Sequence, residues 1–285
     1  MNRIQIHFDG DIAINHQVSM RTLGRTLNHL QNAMDRAYIE NKYGEVWKHT
    51  RMKGTDYKES EFLVQEPKEG GYILDFLANN GVTKRIVDRI ASAVTPALEQ
   101  AMQEGEDVTR SLTEQIDIRK MQIAQQIIEP IEYEQLVNNP SAQVIRKYGD
   151  RSITKEIDQI LAIIRSKNSG QSTFELVTHG SVSNKFFFNS DISKKFHQIV
   201  SKRSLGDPVI YKAKVLSLDF KNTNGKISNM ANDRTANIHF NNEASFMKAK
   251  TFLGMDDEMT FIGCPLIEYG SFDPQAGDIH FIDLV

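Results

Sequence analysis

Cysteine is almost absent from this chain of 285 residues, and that absence bounds its environment. The single thiol, Cys264, excludes an intramolecular disulfide framework and favours a reducing compartment such as the cytoplasm. It lies in the apolar run 261–266, where we expect a buried, unreactive side chain. No run of about 18 apolar residues occurs, and the start of the chain lacks the apolar core of a signal peptide. We therefore expect a cytoplasmic protein with no membrane partner.

Sequence motifs of the common enzyme classes are also missing. No GxxxxGK[S/T] loop, GxGxxG turn or GxSxG elbow is present, which argues against nucleotide hydrolysis, dinucleotide binding and hydrolase chemistry. The eight histidines show no paired zinc spacing, and the acidic residues 256–258 lack the register of a calcium loop. We predict no stoichiometric metal and no cofactor. One enzymatic alternative stays open: Glu66, Lys68 and Asp75 on a predicted hairpin could form a metal-dependent nuclease site, by fold-level analogy.

Charge is nearly balanced overall, with a net of −3, but it is unevenly distributed. Residues 1–104 carry 13 Lys and Arg against 14 Asp and Glu, residues 105–140 carry 3 against 7, residues 141–204 carry 11 against 5, and residues 205–285 carry 7 against 11. The cations of segment 141–204 lie near aromatic residues in the sequence, a mixture that suits phosphate neutralisation with base stacking; these are Tyr148, Phe186, Phe187, Phe188 and Phe196. The competing interpretation is that these cations only solvate helix faces. The candidate nucleic-acid-binding residues are Lys147, Arg151, Lys185, Lys194, Lys195, Lys202 and Arg203.

The first hundred residues predict a small α+β module. Residues 2–8 alternate apolar and polar side chains, the period of a half-buried strand. Behind Ser19, a good N-cap, apolar residues recur at every third or fourth position and predict a long amphipathic helix. Strands at 62–65 and 72–76 flank a turn rich in Pro and Gly, and a second helix follows over 82–102 with Pro96 kinking or restarting it. The order β-α-β-β-α places helices on one face of an antiparallel sheet.

Residues 105–170 predict a helical connector. Ser111 to Glu114 form a capping box, Pro130 and Pro140 break the helix, and an isoleucine-rich stripe follows at 153–164. The polar loop 168–171 is the predicted domain boundary. The connector helices are apolar on more than one side, so we predict a homo-oligomer or a partner protein that covers them. The candidate interface residues are Ile116, Met121, Ile127 and Ile128.

Residues 171–285 predict mostly β-structure with one or two helices. A hairpin is indicated around His179-Gly180 and a helix over 191–201, and short strand candidates then run from 209 to 284 around a helix at 243–253. Such a pattern suits a small, partly open barrel of the SH3-like or OB-like kind. The predicted fold class is therefore α+β, with an N-terminal β-α-β-β-α module (1–104), a helical connector (105–170) and a C-terminal SH3/OB-like β module (171–285).

The first strand ending at Asp9-Gly10, the long helix after it, the hairpin at 69–72 and the closing β region together resemble a set of uncharacterised bacterial proteins associated with mobile elements and phage defence. The resemblance spans most of the chain and assigns no site residues. With the missing catalytic motifs, it favours a non-enzymatic accessory or scaffold protein of a bacterial multi-protein system, such as phage defence. Nucleic-acid binding through residues 141–204 is the second hypothesis, and a metal-dependent nuclease is the third.

Overall fold

The computed structural model of the chain describes residues 1–68, 70–103, 111–138, 140–166, 169–255 and 257–285. They divide into two units. The sheet unit comprises Met1–Glu106 and Arg146–Ser201, and the barrel unit comprises Asp107–Ile145 and Lys202–Val285. Some positions singled out in the sequence lie outside the described residues: Glu69 of the hairpin turn, Asn168 of the predicted boundary, Asp256 of the acidic triplet and the start of the predicted connector.

Helices and strands are numbered here along the described part of the chain. In order they are β1 (Asn2–Asp9), α1 (Met20–Tyr43), α2 (Asp56–Glu59), β2 (Leu63–Val64), β3 (Tyr72–Ala78), α3 (Gly81–Gln103), α4 (Leu112–Ala124), β4 (Ile131–Glu132), α5 (Tyr133–Val137), α6 (Ala142–Leu161), β5 (Thr173–His179), β6 (Ser183–Phe188), α7 (Ser190–Val200), β7 (Arg203–Leu205), β8 (Val209–Asp219), β9 (Asn224–Asn229), β10 (Thr235–His239), α8 (Glu243–Lys250), β11 (Met259–Glu268) and β12 (Ile279–Leu284).

The sheet unit is an antiparallel sheet in the order β2-β3-β1-β5-β6, covered on one face by helices. The predicted alternation in β1 is confirmed, because Ile4, Ile6 and Phe8 are fully buried and the intervening side chains face the other way. Helix α3 packs on β1, β5 and β6 and also contacts α1 and α7. Ser19 caps α1 as predicted, by accepting a hydrogen bond from the backbone N–H of Thr22. Helix α3 continues through Pro96 without restarting.

The division into units differs from the predicted segments 1–104, 105–170 and 171–285. Strands β5 and β6 follow the polar loop near residue 170, yet they complete the N-terminal sheet rather than start a new domain. β5 pairs with β1 over seven residues, from Arg3 opposite His179 to Asp9 opposite Thr173. A central strand needs hydrogen-bond partners on both edges, and β3 supplies only one. Periodicity in a sequence identifies a strand but not its partner.

The barrel unit contains a closed ring of five strands in the order β8-β9-β10-β12-β11 and back to β8. Every pairing in the ring is antiparallel except β10 with β12, and α8 lies between β10 and β11 in the chain. This is the strand arrangement of the OB fold, so the predicted α+β class is confirmed with the OB-like barrel. Aromatic side chains fill the barrel, among them Tyr211, Phe240, Phe261 and Phe281.

One side of the barrel is covered by α4. Ile116 of α4 packs with Leu205, Cys264 and Ile282 in a small apolar cluster outside the barrel. The predicted capping box that starts this helix is confirmed at Ser111. Cys264 is fully buried as expected, and burial raises the pKa of its thiol to about 12. None of the helices in the described ranges has both the length and the apolar composition needed to cross a bilayer.

Candidate nucleic-acid interface

The outer face of β8, β9 and β10 carries the best-organised polar surface of the barrel unit. Strand register sets its rows, because side chains on one face of a sheet line up across paired strands. Lys214 of β8 lies opposite Ser228 of β9, which lies opposite Thr235 of β10. In the next row Lys226 of β9 lies opposite Asn237 of β10. These side chains point away from the core because the alternate residues of each strand are buried.

Basic residues are concentrated on this face. Residues 205–285 contain seven Lys and Arg, of which only Lys248 and Lys250 lie on α8. Lys212 and Lys226 are exposed, and neither forms an ion pair with any described residue. The outward residues of β9 and β10 include no carboxylate; they are Asn224, Lys226, Ser228, Thr235, Asn237 and His239. The other five basic residues lie on β8, on β9 or in the loops at its two ends: Lys212, Lys214, Lys221, Lys226 and Arg234.

An exposed aromatic ring stands at one end of this face. Phe220, in the loop between β8 and β9, keeps 59% of its surface exposed. Its edge is fixed all the same, because it packs at 5.5 Å against the buried ring of Phe246, which contacts Phe240. Lys221 and Asn222 lie in the same loop and are exposed. A ring that is held in place but open to solvent is suited to stacking on a flat ligand.

Two local features shape the strands that carry the site. Strand β8 shifts its register against β9 between Val215 and Ser217, a β-bulge that bends the barrel wall. Gly225 of β9 lies at this bend, where a Cβ atom would come within 2.5 Å of the Ser217 carbonyl oxygen. Glycine is therefore required for the close approach of the two strands.

The loop between β11 and β12 borders the face on the β10 side. Asp278 from this loop accepts a hydrogen bond from the Asn237 side chain at 3.0 Å and lies 3.5 Å from His239. Near the start of β8, a pocket of about 280 Å³ opens beside Lys212 and is also lined by Tyr133, Asn229 and Met230. The face thus runs from an aromatic ring at one end to a pocket at the other.

The basic residues predicted from segment 141–204 are not brought onto one element. Lys147 and Arg151 lie on α6, Lys194 and Lys195 on α7, and Lys185 on the sheet face away from α7. Lys202 and Arg203 belong to the other unit. Lys185 lies 2.9 Å from Glu175, Lys194 lies 3.5 Å from Asp191, and Arg203 lies 3.5 Å from Glu268.

The candidate interface residues have different environments. Ile116 is buried against the barrel and is 1% exposed. Met121 and Ile127 are 51% and 63% exposed, and Ile128 is partly buried. Of these four residues, Met121 and Ile127 are therefore the ones most open to a partner.

The alternative nuclease residues are only partly assembled. Lys68 lies 2.5 Å from Asp75, as the hairpin suggested, but Glu66 does not join them in a cluster of ligands. Among the described residues, no group of three or more His, Cys, Asp or Glu side chains is placed to hold a metal ion. Asp75 is instead surrounded by nitrogen atoms of Lys68, Gln5 and Arg3.

Comparisons of the chain with protein-family models, with curated proteins and with solved structures gave no match. Sequence reasoning missed Lys212, Lys214, Lys226 and Phe220 because the net charge of residues 205–285 is negative. A usable signal was present: lysines at 212 and 214 alternate with the apolar residues 211, 213 and 215, which places both lysines on the outer face of a strand.

Proposed function

We propose that this protein binds single-stranded nucleic acid on the outer face of β8, β9 and β10. The observation that carries the proposal is the set of three outward lysines, Lys212, Lys214 and Lys226, on two adjacent strands of an OB barrel. OB folds bind oligonucleotides on this face and through the loops beside it. The second hypothesis from the sequence is thus kept, with its residues moved from segment 141–204 to the barrel.

The chemistry of the face suits an unpaired strand. Lysine ammonium groups neutralise backbone phosphates, and Phe220 offers a stacking surface for one base. Asn237 and Ser228 lie between these groups and supply hydrogen-bond donors and acceptors without added negative charge. Single strands expose the faces of their bases, whereas a duplex hides them, so we expect a preference for the single strand. Asp219, Asp233 and Asp278 near the same face limit the affinity.

The experiment measures binding of a fluorescent oligothymidine by anisotropy as a function of salt. For the triple variant K212A/K214A/K226A, the slope of log affinity against log salt should fall by about 2, since each lost phosphate contact on a single strand accounts for ~0.7. The matched control is K194A/K195A on α7, which removes two exposed lysines from the sheet unit. It should leave the slope unchanged.

Two results would contradict the proposal. An unchanged slope in the triple variant would make the barrel lysines ordinary solvated residues. A larger loss in K194A/K195A would return nucleic-acid binding to segment 141–204. A duplex of the same sequence is the second ligand, and we expect it to bind more weakly at equal salt.

We propose partner binding as the second candidate function, in keeping with an accessory role. It is favoured by the exposure of Met121 and Ile127, two large apolar side chains six residues apart. If these residues form a self-association surface, light scattering should give a mass above that of one chain at micromolar concentration. M121E and I127E should then restore the monomer mass. A monomeric wild-type protein would leave self-association without support.

A further inference from the structure

The open face of the sheet in the sheet unit carries a second, separate polar site. Strand register places Arg3 of β1 between Leu77 of β3 and His179 of β5. In the next row Gln5 lies between Asp75 and Val177. The helices pack on the opposite face of this sheet, where Ile4 and Ile6 are buried. Polar residues are common on a solvated sheet face. These groups differ because one of them is buried and because they pair with each other.

Asp75 is the unusual member, since it is 1% exposed although it belongs to the open face. Lys68 reaches over it from the loop before β3 and lies 2.5 Å from Oδ2. The Gln5 amide donates to Oδ1 at 2.8 Å, and Arg3 Nε lies 3.8 Å from the same oxygen. Burial alone would raise the pKa of Asp75, but the bonds from Lys68 and Gln5 and the nearby positive charges leave it below its ordinary value. The ionised carboxylate therefore holds two cations in fixed positions.

His179 adds a neutral donor beside these cations. Arg3 Nη2 contacts His179 Nε2, and because a guanidinium can only donate, this ring nitrogen accepts. The ring proton then lies on Nδ1. Burial and the charge of Arg3 both lower the pKa of His179, in agreement with a neutral imidazole.

These groups surround an open pocket of about 370 Å³. Its lining consists of Met1, Arg3, Gln65, Lys68, Asp75, Leu77 and His179. Such a volume lies within the range of small-molecule sites, roughly 300–1,000 Å³. The charged side chains of the lining, Arg3, Lys68 and Asp75, give a net charge of +1, which favours an anion over a cation.

We propose that this pocket binds a phosphate-bearing small molecule no larger than a mononucleotide. Arg3 and Lys68 contact the phosphate oxygens, and His179 contributes a neutral N–H. Asp75 is a positioning residue, because it acts on the ligand through the two cations that it holds. A carboxylate ligand has only two oxygens, whereas a guanidinium, an ammonium group and an imidazole together match an anion with three free oxygens. None of these residues belongs to the barrel face, so this inference is independent of the proposed function.

The test is titration calorimetry of the full chain at constant ionic strength with inorganic phosphate, adenosine monophosphate and acetate as separate probes. We expect saturable binding of both phosphate-bearing probes at millimolar or lower concentration. K68A should weaken that binding roughly tenfold or more, since it removes a charge-assisted contact. Lys68 is half exposed, so K68A is expected to fold, and R3A serves as the second variant. D75N should also weaken binding, and the match of its unfolding curve to that of the wild type separates positioning from misfolding.

The matched control is K185A, on the same sheet face but paired with Glu175 and outside the pocket lining. It should bind phosphate as the wild-type protein does. No saturable binding of either phosphate-bearing probe would overturn the proposal, and so would an equal loss in K185A and K68A. Acetate that binds as tightly as phosphate would overturn the assignment of the ligand class.

Discussion

The sheet unit and the barrel unit use their charged residues in opposite ways. In the sheet unit, Arg89 is 3% exposed and lies 2.8 Å from Glu40 and 2.7 Å from Asp150, so charges of α3, α1 and α6 meet in one buried network. In the barrel unit, Lys212 and Lys226 point to solvent and pair with no described carboxylate. Arg89 is therefore engaged within the fold of the first unit, whereas Lys212 and Lys226 of the second remain available to a ligand.

The difference follows from how each unit closes its structure. The sheet unit stacks separate helices on one face of a sheet, and the buried network fixes α1, α3 and α6 relative to each other. The barrel closes through backbone hydrogen bonds between strands around an aromatic core. Lys212 and Lys226 on its outer face form no ion pair with any described residue. Charge counted along a sequence therefore does not reveal where charge is exposed.

The largest expected effect comes from breaking the buried network. Arg89→Ala leaves the carboxylates of Glu40 and Asp150 without their buried partner, and we expect it to lower the free energy of unfolding of the sheet unit by about 3–5 kcal/mol. Trp47, the single tryptophan, is buried in that unit against Tyr148, so its fluorescence reports unfolding there during a urea titration.

The matched control for Arg89→Ala is Lys226→Ala in the barrel unit. It removes an exposed cation with no described partner, so the change should stay within roughly 0.5 kcal/mol. If both variants lowered the free energy of unfolding by similar amounts, Arg89 would not differ from Lys226 in its contribution to the fold.

A smaller effect is expected where the barrel face meets a base. Phe220→Ala should weaken binding of oligothymidine by about 1–3 kcal/mol at fixed salt, because it removes one stacking surface. The salt slope should not change, since no phosphate contact is lost. Phe220→Trp should preserve binding.

Phe187→Ala is the control for the stacking prediction. Phe187 is also an exposed phenylalanine, 41% accessible, but it lies on β6 of the sheet unit. Its removal should leave the anisotropy titration unchanged. If both variants lost the same affinity for oligothymidine, exposed phenylalanine rings would contribute to binding wherever they lie, which would contradict a specific site at Phe220.

Local features of the fold could be read from the sequence, while pairing could not. The Ser19 cap, the Ser111 capping box and the alternation in β1 each depend on residues within one turn or one strand, and the structure confirms them. β7 has three residues, too short for a periodic signal, and Gly263 and Pro265 interrupt the strand pattern of β11. The return of β5 to β1 depends on contacts more than 160 residues apart.

The candidate site was missed for the same physical reason. Lys214, Ser228 and Thr235 form one row only after β8, β9 and β10 pair in register. Only part of the pocket around Asp75 could be predicted, because Lys68 and Asp75 belong to one predicted hairpin. Arg3 and His179 come near them only when β1 pairs with β3 and β5. Residues that assemble across strands carry no shared signal in one sequence.

The smallest effect separates the two units by pH. His280 on β12 is 7% exposed, and burial lowers its pKa to about 4, with His239 and Lys120 adding to that shift and the Phe281 carbonyl opposing it. The unfolded chain takes up this proton near its ordinary value of 6.5, so the barrel should lose stability as pH falls from 6.5 towards 4. At pH 5.5 the loss should reach about 1 kcal/mol, and His280→Gln should abolish it.

The sheet unit provides the contrast for this pH dependence. Burial would raise the pKa of Asp56, but hydrogen bonds from Lys42, the Lys53 backbone N–H, Tyr43 and Tyr38 lower it to about 2. Its contribution is complete above pH 4 and declines only below that value. Hydrogen exchange of β8–β12 amides between pH 6.5 and 4 should therefore accelerate, beyond the intrinsic pH dependence of exchange, before the Trp47 emission changes, because the lowered pKa of His179 costs the sheet unit less stability than that of His280 costs the barrel. Simultaneous loss of both signals in that window, or the same loss in His280→Gln, would show that another group sets the acid sensitivity of the barrel.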